Sequence, residues 1–212
     1  MPTREEWLEA RKSGIGGSDA ATIIGMNPYK TNVQLWKEKV GLAEAEDISE
    51  KPFVKYGTLA EEHLREIFKL DYPIYEVTHD ENVIIKHPKY DFLFASLDGK
   101  LRNKETGELG ILEIKTTNIL TSQHKEKWNK RIPQNYYIQI LHYMLVTGRT
   151  FVILKAQLRY ELPENEIYHQ TKHYFIKRAD VEEDINYLLG EEIKFWEYVK
   201  NKKEPPLRLP EV

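Results

Sequence analysis

The chain has 212 residues, with 31 Lys or Arg against 34 Asp or Glu, a formal net charge of −3, and no cysteine. Disulfide frameworks, zinc ribbons and thiolate-held iron–sulfur clusters are excluded, and the mildly acidic balance argues against a protein that coats nucleic acid nonspecifically. At this length roughly 70% of the unfolded surface can be buried, so a single domain over 1–212 is expected to fold without a metal or disulfide.

The opening Met1-Pro2-Thr3-Arg4-Glu5-Glu6 has no signal-peptide character. No apolar run approaches the ~20 residues of a membrane span, and a cytoplasmic, reducing setting is expected. Residues 5–12 read as a short helix entering the loop Gly14-Ile15-Gly16-Gly17. Ser18 or Asp19 can cap a helix over Ala20–Ile24 that Gly25 closes. Asn27-Pro28 makes a turn, Thr31 caps Val33–Val40, and Gly41 ends it. Residues 43–52 are acidic and loop-like, and a helix runs from about Gly57 to Leu70.

Strands are expected near 74–78 and 82–87, the second broken by His87-Pro88. Phe92–Leu101 and Gly110–Thr116 read as a hairpin joined by residues 102–108. Pro133 opens a helix over 134–147 that ends at Thr147-Gly148. Strands near 150–159 and 168–177 follow, then a long amphipathic helix capped by Asp180, running to about Lys202 and stopped by Pro205-Pro206. The order α-β-β-β-α-β-β-α predicts an α/β fold, a mixed sheet between helices.

The hairpin is where chemistry concentrates. If it closes symmetrically about Glu105-Thr106, Asp98 lies opposite Glu113. Ala95, Leu97 and Leu101 then share a face with Leu112 and Ile114, while Ser96, Asp98, Glu113 and Lys115 share the other. Two like charges ~4 Å apart repel by about 4 kcal/mol at an effective dielectric of 20. Lys115 offsets part of this, and a divalent cation with a taste for hard oxygen ligands, magnesium or manganese, would offset all of it. On an exposed face the same residues would be a Glu–Lys contact of little worth.

In the helix from Gly57 the apolar face is Ala60, Leu64, Ile67 and Phe68. Glu61 lies at its edge and can reach inward, while Glu62 points away. On 134–147, Gln139 and Tyr143 share a face, and Gln139 either meets solvent or makes buried hydrogen bonds near a site. The loop Gly14–Ser18 is a plausible anion cradle, with Arg11 able to add a bidentate contact; it lacks the Gly-Lys-Ser/Thr of a P-loop. Between Thr116 and Gln134, Lys125, Lys127, Lys130 and Arg131 face only Glu126, with Trp128 among them. Such a segment suits an enzyme that holds a polyanion; a solvated loop has the same composition.

Asp98 followed by Glu113-Ile-Lys115 resembles the PD-(D/E)XK nuclease core. More narrowly, the chain resembles the lambda-exonuclease or YqaJ-type viral recombinases. The matching pieces are Ile15-Gly-Gly-Ser-Asp-Ala20 with Asn27-Pro-Tyr-Lys-Thr31, then Tyr56-Gly-Thr-Leu-Ala-Glu61, Ser96-Leu-Asp-Gly99, Leu112-Glu-Ile-Lys-Thr116, and Gln139 through Gly148, in that order. Ser96-Leu97 stands where the core's name-giving proline is expected.

The resemblance implies a restriction-endonuclease-like fold and a set of roles. Asp98, Glu113 and the Ile114 carbonyl would bind Mg2+, with Mn2+ able to substitute, and Glu61 would hold a second metal or a coordinated water. Lys115 would position and help deprotonate the attacking water, Gln139 would orient Lys115 or the nucleophile, and Arg11 and Ser18 would grip a phosphate near the 5′ end. It further implies a 5′→3′ exonuclease on double-stranded DNA, acting in phage-type recombination with a single-strand annealing protein, as a ring-shaped homotrimer. An endonuclease of restriction or repair type on the same core, and a DNA-binding module without turnover, remain open at this point.

Overall fold

The computed structural model describes Glu6 and residues 11–210. Most of the helix expected over 5–12 lies outside the described residues; Glu6, Arg11 and Lys12 are helical. Helix α1 covers Gly17–Ile23, three residues earlier than expected. Its cap is Gly16, whose N–H donates to the Asp19 carboxylate at 3.1 Å, so neither Ser18 nor Asp19 stands at the cap. Helix α2, Asn32–Lys39, carries the expected Thr31 cap in reciprocal form: the Thr31 hydroxyl accepts from the Gln34 N–H and the Gln34 amide oxygen accepts from the Thr31 N–H.

Helix α3 runs over Pro52–Asp71. It starts five residues before Gly57, because Pro52 at the first helical position is already set for the turn. Strands β1 (Tyr75–Thr78), β2 (Ile85–Lys86), β3 (Phe94–Ala95), β4 (Gly99–Asn103) and β5 (Leu109–Asn118) follow. A short helix α4, Ser122–Glu126, leads to α5, Gln134–Thr147; then come the long strands β6 (Phe151–Glu161) and β7 (Ile167–Lys177) and the last helix, α6, Glu182–Lys200. Asp180 lies in a 3-10 turn and does not cap α6, which opens at Val181 without a side-chain cap.

The main sheet has the order β1-β4-β5-β6-β7, and only the central β5–β6 pair is parallel. A parallel pair needs a crossover, and α5 supplies it. On one face lie α1, α5 and α6 over a large core that includes Ile111, Met144, Leu154 and Phe195; on the other, α3 seals a smaller core of Leu64, Phe68, Leu101, Leu112, Ile114 and Ile153. Strand β5 is thus covered on both faces, and Gly110 through Ile114 are all buried. Among the described residues no helix is long and apolar enough to cross a membrane.

The hairpin departs from expectation in an informative way. Its register is the expected one, since Gly99 pairs with Leu112, but the strand expected over 92–101 is cut at Ser96–Asp98. Its first half, β3, pairs with β2 in a separate two-stranded sheet. Ala95 and Leu97 therefore pack in the large core, away from Leu112 and Ile114. Ile67, expected on the buried face of α3, is 47% exposed, and Arg65 is buried in its stead.

The β2–β3 unit is tied down by the glycine loop. The Ile15 N–H donates to the Phe92 carbonyl at 2.6 Å and the Phe94 N–H to the Ile15 carbonyl at 3.0 Å. A Cβ on Gly14 would lie 3.0 Å from Phe94 Cε1 and press on the Phe92 carbonyl oxygen, which is backbone and cannot swing aside. Gly14→Ala is expected to cost about 1–3 kcal/mol; urea denaturation followed by circular dichroism reads this, and an unchanged midpoint would contradict it.

Candidate active site

Asp98 sits in the gap between β3 and β4, and the gap frees its side chain from the ladder. One carboxylate oxygen accepts the Ile114 N–H of β5 at 2.8 Å. Its own carbonyl accepts from Arg65 Nη1 at 2.8 Å, and Nη2 of the same guanidinium lies 3.3 Å from Glu61 Oε1. A single buried arginine on α3 thus fixes the main chain of one acid and the side chain of another.

Glu113 is 1% exposed. Lys115 Nζ lies 2.6 Å from its Oε1. Yet neither carboxylate oxygen makes a hydrogen bond of ordinary geometry among the described residues. The contact is therefore a close charge pairing that leaves Oε2 unmatched. Lys115 also lies over the Tyr136 ring, 5.3 Å from its centroid, while 19% of its side chain stays exposed.

The electrostatics show the crowding. Burial, then the neighbouring Asp98 charge, pushes the Glu113 carboxyl up to about 8. The same two causes push Glu61 up to about 7, against the opposing pull of Arg65 and Lys115. Burial alone would lower the Lys115 ammonium, but Glu113 and Asp98 outweigh it and hold the group above its ordinary value. Three carboxylates face two fixed cations, Lys115 and Arg65. One negative charge is in excess in a partly dry site, so the cluster must keep a proton or take up a cation.

The sequence-predicted residues are placed as follows. Asp98, Glu113 and Lys115 adjoin, and Glu61 is close enough to share their field. Ile114 joins them through its N–H. Gln139 donates its amide to the Tyr143 hydroxyl at 2.7 Å. Burial, then the Glu113 charge, raises the Tyr143 hydroxyl, so the Tyr143 end of this hydrogen bond feels the acids. Arg11 donates to the Ser18 hydroxyl at 2.8 Å. Gly17, which precedes Ser18, packs on this wall: a Cβ there would meet both the Tyr143 ring and Gln139 Cγ. Arg65 and Tyr136 went unpredicted. Arg65 left a signal, its position four residues after Glu61; Tyr136 left none.

A hard divalent cation fits the chemistry of this set: oxygen donors, an unmatched buried carboxylate oxygen and an excess negative charge. As the side chains stand, however, no three acidic or histidine groups among the described residues are placed to hold a metal together. Lys115 lies on Glu113 and Arg65 holds Glu61, so the expected convergence is electrostatic and not a ready ligand shell.

A mixed sheet between helices, with two acids and a lysine where two strands part, is the architecture of a PD-(D/E)XK-type nuclease fold. The alkaline exonuclease LHK-Exo from Laribacter hongkongensis, also solved in complex with dAMP, shares the fold. It superposes with a TM-score of 0.61 at 24% identity, covering 93% of this chain and 97% of that one. A phage-related exonuclease from Haemophilus somnus 129PT does so with a TM-score of 0.58 at 12% identity, over 89% of this chain and 96% of that one. Residues 6–150 match the YqaJ-like viral recombinase domain, and the chain belongs to that family. The uncharacterized protein YqaJ of Bacillus subtilis (strain 168) is 32% identical over 194 residues. That match takes in 92% of this chain and 56% of the relative, so the chain spans little more than half of the relative's length.

Proposed function

We propose that the protein is a metal-dependent exonuclease that degrades double-stranded DNA from 5′ ends. The 3′ single strands it leaves would serve a phage-type annealing protein in recombination. The observation that carries this reading is the buried, unmatched Glu113 carboxylate beside Asp98 and Lys115, in a chain of the viral recombinase family. The fold it shares with proteins described as exonucleases supports it.

Asp98 and Glu113, with the Ile114 carbonyl, would hold Mg2+ or Mn2+, and Glu61 would stand by a second ion or its water. When bound, such an ion neutralises phosphate charge and makes hydroxide available near neutral pH. The rest falls to the chain's own groups. Lys115, 2.6 Å from Glu113 Oε1, would position the attacking water and help deprotonate it. Gln139 acts through Tyr143, restricting the wall beside Lys115. Arg11 and Ser18, already hydrogen-bonded to each other, present a guanidinium and a hydroxyl to a 5′-end phosphate. A homotrimer encircling the duplex and a cytoplasmic setting complete the proposal.

Linear duplex labelled at one end, with 5′-phosphate or 5′-hydroxyl termini, tests it against a covalently closed circle. Magnesium-dependent release of mononucleotides from 5′ ends, with the circle untouched, is expected. Cutting of the circle would establish an endonuclease, and release without any divalent ion would refute the metal site.

A further inference from the structure

Some surface cations of this protein are paired and others, such as Lys37, Lys86, Lys89 and Lys177, are exposed without an ion pair among the described residues. Lys30 pairs with Glu38, Lys51 with Glu46, Lys55 with Glu50, Lys69 with Glu66 and Lys200 with Glu197. The segment 121–133 gathers four unpaired cations within seven residues. Lys125, Lys127, Lys130 and Arg131 are all exposed, and none forms an ion pair among the described residues. The one carboxylate there, Glu126, is hydrogen-bonded to the Asn129 amide at 3.3 Å.

Nor is this a loose loop. Thr121 caps α4, accepting the His124 N–H at 3.2 Å. Trp128 is 2% exposed and packs between the rings of Tyr136 and Tyr174, 5.6 and 6.0 Å away. Its carbonyl accepts from Lys172 Nζ at 2.8 Å and from the Tyr174 hydroxyl at 2.6 Å. Lys130 is held in the left-handed region at φ 57°, where a side chain costs about 1–2 kcal/mol that glycine would not. Four cations thus sit on one short, anchored stretch of backbone, an arrangement that makes sense where a polyanion meets them.

The position says which polyanion. Tyr136, one wall of the Trp128 socket, is also the ring under Lys115. The basic arch is thus one aromatic ring away from the acids. Resting on the nuclease reading above, we infer that the arch 121–133 is a second nucleic-acid contact. Lys125, Lys127 and Lys130 grip the phosphate backbone of the strand whose scissile phosphate sits at Lys115. Trp128 holds that grip at a fixed distance from the reaction.

The test is a triple variant, Lys125→Gln, Lys127→Gln and Lys130→Gln, all exposed changes. Its control is a charge-matched variant at the paired lysines Lys69, Lys194 and Lys200. Binding of a short fluorescent duplex is measured by anisotropy in chelator, across a salt series. Each phosphate contact contributes about 0.9 to the slope of log affinity against log salt. The arch variant is expected to flatten that slope by roughly 2–3 and to bind about tenfold or more weakly at moderate salt, with KM raised in the digestion assay, while the control keeps the wild-type slope. An arch variant with the wild-type slope and affinity would overturn the inference alone. A wild type that neither binds nor digests duplex would overturn the nuclease reading and the inference with it.

Discussion

Lys115→Ala is expected to fold and to bind DNA while losing cleavage by about 10²–10⁴-fold. The fold survives because Glu113 has an alternative to its lysine. Its carboxyl is already raised by burial and by Asp98, so without the ammonium it takes up a proton and leaves no bare buried charge. Binding survives because the cations proposed to grip phosphate lie on Arg11 and the arch. What disappears is the one ammonium 2.6 Å from the Glu113 carboxylate, and with it the group that holds a water against the phosphate. Digestion of labelled duplex alongside anisotropy and circular dichroism reads all three properties. Near-normal digestion by this variant would remove Lys115 from the chemistry and take the proposed function with it.

His142→Ala is expected to give the largest loss of stability, about 3–5 kcal/mol and roughly 10 °C or more in Tm. His142 is fully buried on α5, with Nδ1 2.6 Å from Glu192 Oε1 of α6 and Nε2 2.8 Å from the Phe94 carbonyl of β3. Both ring nitrogens face oxygens of Glu192 and Phe94, an arrangement that favours the imidazolium. Burial works against that charge, but the Glu192 carboxylate, the hydrogen bond to it and the Phe94 carbonyl outweigh burial and raise the pKa, with a smaller push from Asp19. On the neighbouring His87, burial and the His142 charge act downward, which Glu192 partly offsets.

The sign of the pH dependence follows. A group whose folded pKa is raised contributes its full stability below the unfolded value, ~6.5 for histidine, and loses it as pH rises through the folded value. Wild-type Tm should fall as pH rises above that point, and His142→Gln should lack this limb. A His142→Ala variant within 2 °C of wild type, or a pH limb that persists in His142→Gln, would contradict the assignment.

Much of this was legible from local pattern. The Thr31 cap, the β4–β5 register and the α5 crossover follow from side-chain chemistry and periodicity within a few residues. The register also carries Asp98 to the end of the ladder, where its carboxylate takes the Ile114 N–H in place of a strand pairing with Glu113. The parts that escaped depend on partners far along the chain. Arg65 reads as an ordinary charge on a helix until the Asp98 carbonyl, 33 residues on, gives it a reason to be buried. His142 has the same history, with partners 48 and 50 residues away. The cut in the 92–101 strand was hidden for another reason. Phe94 and Ala95 are both apolar and buried, and nothing nearby reveals that they pair with Ile85–Lys86 in a different sheet.

The interruption before β4 separates what Asp98 does for the fold from what it does for charge. With the ladder stopped at Gly99, the next rung is completed by a side chain, the Asp98 oxygen that accepts from the Ile114 amide. An asparagine there could accept the same hydrogen through its carbonyl oxygen, while contributing no anion to the cluster. Descendants of such a chain would inherit the scaffold intact and the reaction not at all, so shape is the more durable of the two legacies and charge at this one position the more perishable.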